Sequence, residues 1–346
     1  MQGLDVFSNG KKKILIVVGG GIRGVSPAVT LSKLEAQLGK PIGEVFNMVA
    51  GTSAGSILAA SIVLKIPMTK VISIFKDDIA EAFDKNIFQK AATFTSSGFK
   101  YLFDVDSFIA PFEIYKNVTI GSIGDNPVMM TFFRDTDSGQ TIYVPSAGKG
   151  MQRVKNWSLV EVVRASCSAP AFFPSNKGAI DGGVGLTNNP VLAVAVEAFE
   201  YLGFKPEETD IFVLGTGYRS NMLPDKGYDS LNIFQRILYV VSALMDDTQA
   251  ERVNLARKQY PEANISYFNI DLSNSDLKYR LGRDWPNADL SKMGLDSARK
   301  DLVEALIYAT YLYASEINWG IRNADPDLFK YGAPKIKIDW DKIDLS

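Results

Sequence analysis

Two consecutive segments of this chain share one order: an apolar run, a glycine-rich turn and a stretch with helical periodicity. In the first, the apolar run 14–18 precedes the glycines of 19–24 and a helical pattern over 25–38. In the second, 45–49 is the apolar run and 56–64 the helical stretch. Strands joined through a helix in this way pair in parallel, so we expect an α/β protein with a mainly parallel central sheet.

The remaining sequence continues this alternation. Further strands are predicted at 128–133, 141–144, 179–181, 211–214 and 265–270. Further helices are predicted at 158–165, 190–202, 231–259 and 296–319. Ser158 and Glu161 have the spacing of a capping box at the start of the first of these helices.

The motifs described below all lie in 12–217, which we predict to be one core, with 218–346 as a C-terminal helical portion packed on it. Within that core, 82–125 is rich in aromatic residues without a clean period. Two interpretations are open. The aromatics pack into the main core, or the segment forms a cap or lid over an apolar site, with Phe94, Phe99 and Phe103 among its candidate lining residues. The sequence alone leaves both open.

Composition excludes several classes of function. With 37 basic and 39 acidic side chains, nothing suggests a DNA or RNA partner. A single cysteine rules out an internal disulfide, and the lack of histidine argues against an imidazole-bound metal, leaving only carboxylate-bound calcium or magnesium open. We expect no metal and no other cofactor. The polar N-terminus and the lack of a long apolar run predict a cytoplasmic protein whose membrane contact is peripheral.

The first glycine turn, GGGIRG at 19–24, also fits the dinucleotide-binding pattern G-x-G-x-x-G. That function needs an acidic residue at the end of the second strand, and the sequence there is Gly51-Thr52-Ser53. A P-loop would need a Lys-Ser or Lys-Thr pair, which is missing. The turn therefore predicts backbone N–H groups at a helix N-terminus, where an anion is favoured, or simply a tight turn that needs glycine.

The second turn, GTSAG at 51–55, has the G-x-S-x-G pattern that places a serine on a sharp strand-to-helix turn. A serine hydroxyl needs an adjacent base to become a nucleophile, and this chain has no histidine to provide one. The base for Ser53 must then be a carboxylate, a lysine or an N-terminal amine. Asp181, in the segment DGG, is the candidate, although an isolated Asp-Gly pair is usually a turn.

A third segment, RASCSAP at 164–170, consists largely of small residues, which predicts close packing against another element. Cys167 lies within it. Since the chain has no histidine to activate a thiol, we expect Cys167 to be a buried small side chain rather than a nucleophile.

Taken together, five motifs resemble the patatin-like phospholipase family: GGGIRG, GTSAG, RASCSAPAFFP, DGGVGLTNNP and LGTG. The resemblance covers roughly 12–217 and implies a three-layer α/β/α fold with a Ser-Asp dyad, in agreement with the missing histidine. It implies Ser53 as nucleophile and Asp181 as base. Its oxyanion-hole loop corresponds to Gly19, Gly20, Gly21, Arg23 and Gly24. Many members have Asp before the three glycines, where this chain has Val18.

The resemblance further implies hydrolysis of acyl esters in membrane phospholipids. A general carboxylesterase or thioesterase of the same fold remains an alternative, as does a non-catalytic lipid-binding module. An unregulated phospholipase in the cytoplasm would damage its own inner membrane, so we expect a switch. Some bacterial members are antiphage effectors activated by cyclic oligonucleotides, which makes a cyclic dinucleotide activator the first expectation. The helices predicted at 231–259 and 296–319 are candidates to bind it or to form a homo-oligomer.

Overall fold

The computed structural model describes residues 2–83, 102–103, 109–185, 187–219, 228–231, 233–273, 281 and 284–320. Within them, one sheet contains β1 Lys12–Val17, β2 Met48–Thr52, β3 Val128–Asp135, β4 Thr141–Pro145, β5 Ala179–Asp181, β6 Thr209–Leu214 and β7 Asn264–Phe268. The strand order is β4-β3-β2-β1-β6-β7, with β5 paired to β3. Five strands, β3, β2, β1, β6 and β7, are parallel, and β4 and β5 run antiparallel to β3.

The α-helices of the described residues are α1 Val25–Leu38, α2 Ala54–Val63, α3 Met68–Ser73, α4 Ala80–Phe83, α5 Ile120–Ile123, α6 Gly148–Val154, α7 Leu159–Ser166, α8 Val191–Val196, α9 Ile233–Gln259 and α10 Lys300–Glu316. A π-helical segment, Ile74–Ile79, joins α3 to α4, and another, Glu197–Tyr201, extends α8. Short 3₁₀ turns occur at Leu4–Ser8, Gly21–Gly24, Ile42–Glu44, Ala110–Tyr115, Pro206–Glu208, Tyr228–Ser230 and Leu290–Lys292.

The alternation of side chains along β1 shows how the layers are built. Leu15 and Val17 point into one apolar cluster, whereas Ile14 and Ile16 point into a second on the other face of the sheet. The first cluster includes residues of α1, α2 and α10, and the second includes residues of α8 and α9. A strand that is buried on both faces needs apolar side chains at successive positions, which explains the continuous apolar run 14–18. The predicted three-layer α/β/α fold with C-terminal helices is confirmed.

Two local predictions were wrong. The second strand begins at Met48, three residues later than its apolar run, because Ile42–Glu44 forms a 3₁₀ turn and leads Val45 and Phe46 into the core without strand pairing. The capping box is also absent. Ser158 donates its hydroxyl to the Lys116 carbonyl instead of capping α7.

The described part of the C-terminal portion is built into the same layers. Strand β7 extends the sheet beside β6, and α10 packs on α1. In the aromatic segment 82–125, Phe83, Phe103 and Phe112 are buried in the main apolar cluster. Phe94 and Phe99 lie outside the described residues, so the cap or lid stays a prediction. Among the described residues, no helix combines the length and the apolar character needed to cross a membrane.

Candidate active site

Ser53 occupies the turn between β2, which ends at Thr52, and α2, which begins at Ala54. Its backbone has φ 54° and ψ −129°, a conformation that costs a non-glycine residue on the order of 1–3 kcal/mol. Strain of this kind persists where the surrounding structure enforces it, and it places Ser53 at the positive N-terminal end of α2. The side chain is 6% exposed. This is the strand-to-helix turn that GTSAG predicted.

The last residue of α7 and the residue that follows it help to hold this turn in place. The Ser53 N–H donates to Ser166 Oγ at 3.0 Å. The Ser53 carbonyl accepts from Ser56 Oγ at 2.6 Å and from Cys167 Sγ at 3.2 Å. Burial raises the pKa of the Cys167 thiol, which favours the protonated form and fits the expectation that this cysteine is not a nucleophile.

Asp181 is the last residue of β5 and is fully buried. Its N–H donates to the carbonyl of Ser168 at 3.0 Å, and its Oδ1 accepts from the Gly183 N–H at 2.6 Å. Ser166 and Ser168, two residues apart, therefore bond to Ser53 and to Asp181 respectively. The small residues of 164–170 allow one short segment to reach both.

Burial raises the pKa of Asp181 to about 7, and hydrogen bonding from the Ser53 side chain and the Gly183 N–H opposes that rise. The Ser53 hydroxyl is thus a neighbour of the carboxyl group. Nevertheless, Oδ2 of Asp181 has no hydrogen-bond partner of good geometry among the described residues. Catalytic hydrogen bonds are often long in a site without substrate, and a carboxyl group with a pKa near neutrality is well matched to accept a proton.

The glycine loop, defined as residues 19–24, lies directly against Ser53. A Cβ added to Gly19 would lie 3.0 Å from the Cβ of Ser53 and 2.2 Å from Oδ1 of Asn188, so only glycine permits this approach. Among the described residues, none accepts a hydrogen bond from the backbone N–H of Gly20, Gly21 or Ala54. These three N–H groups, on the two turns that meet at the serine, are candidate donors to an oxyanion.

Three residues of the predicted oxyanion loop have other contacts: Gly19, whose N–H donates to the Asn188 carbonyl, Arg23 and Gly24. The N–H of Arg23 donates to the carbonyl of Gly20 at 3.1 Å, so it is not available to an oxyanion. The Arg23 side chain is fully buried and donates from Nη1 to the Gly217 carbonyl at 3.2 Å. Gly24 ends the 3₁₀ turn and lies against Ala54 of α2. The buried Arg23 side chain thus contacts the segment after β6, and the assignment of Arg23 to the oxyanion-hole loop stays a prediction.

Sequence reasoning assigned no role to the residues that tie the three motifs together. Thr52 Oγ1 donates to the Thr187 carbonyl at 2.5 Å, and Thr187 Oγ1 donates to the Gly182 carbonyl at 2.6 Å. The Asn188 carbonyl accepts from the Gly19 N–H at 3.2 Å. Thr187 and Asn188 therefore connect the Asp181 turn, the serine turn and the glycine loop. The polar triplet Thr187-Asn188-Asn189 was the available signal. In the described part of the chain, no group of three or more Cys, Asp or Glu side chains is arranged to hold a metal ion.

Comparison with known proteins shows the family of this chain. The family model described as patatin-like phospholipase matches residues 15–195, more than half of the chain. The chain belongs to the patatin-like phospholipase family. Members of this family are hydrolases that act on ester bonds, and the matched region contains Ser53, Asp181 and the glycine loop.

Relatives of this patatin-like chain include enzymes named for their activators. It is 27% identical over 215 residues to the cGAMP-activated phospholipase of Pseudomonas aeruginosa, covering 59% of this chain and 62% of that protein. It is 23% identical over 290 residues to the cUMP-AMP-activated phospholipase of Escherichia coli, covering 78% and 86%. The mouse 85/88 kDa calcium-independent phospholipase A2 is 26% identical over 226 residues, covering 59% of this chain and 27% of the mouse protein. The matched regions thus span under two thirds of two of these relatives.

Proposed function

We propose that this chain is a phospholipase of the A type that hydrolyses acyl esters of membrane phospholipids with a Ser53-Asp181 dyad. Ser53 Oγ attacks the ester carbonyl while Asp181 accepts its proton, and the N–H groups of Gly20, Gly21 and Ala54 stabilise the oxyanion. The ester C–O bond then breaks, and Asp181 returns the proton to the departing lysophospholipid oxygen, which leaves the acyl group on Ser53. Water that gives its proton to Asp181 then attacks the acyl-enzyme, and the fatty acid and the Ser53 hydroxyl are released. The observation that carries the proposal is the strained Ser53 turn placed beside a buried carboxyl group whose pKa is about 7.

Product analysis tests this proposal. Mixed phospholipid vesicles are incubated with the chain and with Ser53→Ala, and the products are identified by mass spectrometry. We expect lysophospholipid and free fatty acid with the unchanged chain only. Release of acyl groups from water-soluble esters or thioesters but not from phospholipids would favour a carboxylesterase or thioesterase. Lipid binding without turnover would favour a non-catalytic lipid-binding module.

The same proposal includes peripheral contact with the inner membrane from the cytoplasmic side. Ile114 and Trp157 are 79% and 40% exposed, and Lys116 and Lys155 are exposed on the same chain segments. These segments adjoin, because the Trp157 carbonyl accepts from the Ile120 N–H and the Lys116 carbonyl accepts from Ser158 Oγ. Exposed aromatic and aliphatic side chains beside lysines suit an anionic membrane surface.

The paired substitution Ile114→Asp with Trp157→Ser tests this contact. We expect weaker sedimentation with anionic vesicles and unchanged hydrolysis of a monomeric ester. A matched control is Tyr201→Ser, which removes another exposed aromatic side chain that lies after α8. Equal loss of vesicle binding in both variants would contradict the assignment.

We also propose that a cyclic dinucleotide activates the enzyme, and that it acts in antiviral defence. The names of the Pseudomonas and Escherichia relatives support this extension, as does the hazard of an unregulated phospholipase. A homo-oligomer is the arrangement in which we expect activation to occur.

A further inference from the structure

Buried polar side chains connect α9 with the loops that follow β1 and β6. Gln249 of α9, Tyr267 of β7 and Asn269 just after β7 are 3%, 2% and 5% exposed. Burial of such groups is costly unless they are hydrogen-bonded, and all three are. None of these three residues belongs to the proposed dyad or to the glycine loop.

The first arm of this network runs from the glycine loop to the side chain of Gln249. Arg23 Nη1 donates to the Gly217 carbonyl at 3.2 Å, and the Gly217 N–H donates to Asn269 Oδ1 at 2.7 Å. Asn269 Nδ2 donates to the Tyr267 hydroxyl at 2.8 Å, which in turn donates to Gln249 Oε1 at 3.2 Å. From the Gly217 N–H onward the donors point the same way through the Asn269 amide and the Tyr267 hydroxyl, so each of these three bonds polarises the next.

The second arm of the network starts from the backbone carbonyl of Gln249. Asn189 Nδ2 donates to the Gln249 carbonyl at 2.6 Å. The preceding residue, Asn188, accepts from the Gly19 N–H at 3.2 Å and donates from Nδ2 to the Gly19 carbonyl at 3.4 Å. Gln249 is therefore linked to Arg23 near one end of the glycine loop and to Gly19 at the other.

We infer that Gln249 is a positioning residue that couples α9 to the glycine loop, so that a displacement of α9 changes the loop geometry and hence turnover. The inference rests on the proposed function of the loop as an oxyanion hole. Preorganised donors act through fixed positions, and a displacement of the order of 1 Å is enough to impair them. Because α9 belongs to the C-terminal portion where we expect the activator to act, the two arms provide a route from a regulatory ligand to the reacting atoms.

Tyr267→Phe tests this coupling because it removes the hydroxyl that joins Asn269 to Gln249 and keeps the ring. We expect kcat for a monomeric ester to fall about 10-fold at unchanged KM, together with faster hydrogen–deuterium exchange in residues 19–24. The matched control is Tyr260→Phe. Tyr260 is 8% exposed, packs on Phe199 and lies just after α9, outside both arms. We expect normal kcat and normal loop exchange in that variant.

Gln249→Met breaks the same link from its other side. The double variant with Tyr267→Phe should therefore lose no more kcat than either single variant. Values of kcat and loop exchange in Tyr267→Phe that match those of Tyr260→Phe would overturn the coupling. If the unchanged chain has no esterase activity but Tyr267→Phe still accelerates loop exchange, the coupling stands and the proposed function fails.

Discussion

At the scale of single residues, Ser53 and Asp181 both lower the stability of the fold at the positions that they occupy. Ser53 has a backbone conformation that favours glycine, and Asp181 is a carboxyl group without exposure to water. The Ser53 N–H donates to Ser166 Oγ and the Asp181 N–H donates to the Ser168 carbonyl, and these hydrogen bonds hold both residues in place. Strained residues and buried charged groups of this kind cluster at active sites, where the fold holds the reacting groups in position.

Removal of either member of the dyad should abolish most activity. We expect Ser53→Ala and Asp181→Asn each to lower kcat by about 10³-fold or more, and the double variant to be no worse than either, because the two groups act as one unit. Ester hydrolysis and labelling with a fluorophosphonate probe are the measurements. Labelling of another serine, or additive losses in the double variant, would contradict the dyad.

The pKa of Asp181 predicts opposite effects of pH on activity and stability. Activity should rise with pH and reach half its maximum near pH 7, because only the ionised carboxylate accepts the proton of Ser53. A carboxyl group whose pKa is raised from 3.8 to about 7 on folding binds its proton more tightly when folded. Its contribution to stability is therefore lost as pH rises between those values, and the loss is on the order of 4 kcal/mol.

Asp181→Asn should accordingly be more stable than the unchanged chain by about 1–4 kcal/mol at about pH 8, with a much smaller difference at about pH 4. Urea denaturation at the two pH values measures this. A variant that is less stable at the higher pH would show that the ionised carboxylate is well solvated or paired in the folded protein.

At the scale of elements, the sheet determines which turns meet. Strands β1 and β2 are adjacent and parallel, so the turns that follow them emerge at the same edge, where the glycine loop contacts Ser53. Strand β5 pairs with the end of β3 in the register that sets Asp181 opposite Phe133, and this brings the carboxyl group to that edge.

The contact between the two turns predicts the effect of Gly19→Ala. The added methyl would overlap Asn188 and press on Ser53, so we expect kcat to fall by about 10²-fold. Gly39→Ala is the matched control: Gly39 has φ 64° and open space around it, so its substitution costs about 1 kcal/mol of stability without moving the site. Equal kcat in the two variants would mean that the close approach has no catalytic importance.

Phe103, in the described part of the aromatic segment, packs in the main apolar cluster. Phe103 is fully buried against Phe83 and stacks on Phe172, so Phe103→Ala should lower the free energy of unfolding by about 3–5 kcal/mol. Chemical denaturation measures this loss. For Phe94 and Phe99 the cap prediction stands, and their polar substitution should change acyl chain-length preference more than stability. Unfolding by those substitutions too would favour the core-packing alternative.

At the scale of the whole molecule, the described part of the C-terminal portion is continuous with the α/β core. Strand β7 pairs with β6 and helix α10 packs on α1, so a ligand or a second copy that binds to these elements contacts the layers that also carry the site. This arrangement makes regulation from the C-terminal portion physically reasonable.

A cyclic dinucleotide should therefore increase phospholipase activity from a low basal value and raise the melting temperature or the oligomeric state, because an activator must bind the active state more tightly. Activity assays with a panel of cyclic nucleotides, paired with thermal melts and light scattering, are the measurements. Full activity in an isolated monomer, with no response to the panel, would favour an unregulated enzyme.

The sequence by itself determined the seven strands, six of the ten α-helices in the described residues, and the residues that resemble the family motifs; the short helices α3, α4, α5 and α6 were not predicted. An apolar run such as 14–18 predicts a buried strand, and a run of glycines predicts a turn with unusual backbone angles. Both can be predicted from a few consecutive residues. The sequence could not place the start of β2, since Val45 and Phe46 are buried without being paired.

Only the tertiary structure decided which polar groups meet. The contact of Ser53 with Ser166, the contact of Arg23 with Gly217 and the link from Gln249 to Gly19 all join residues far apart in the chain. No local pattern encodes such pairs, because their distances depend on strand order and register. Burial, which raises the pKa of Asp181, is likewise a property of the assembled layers and not of an Asp-Gly pair.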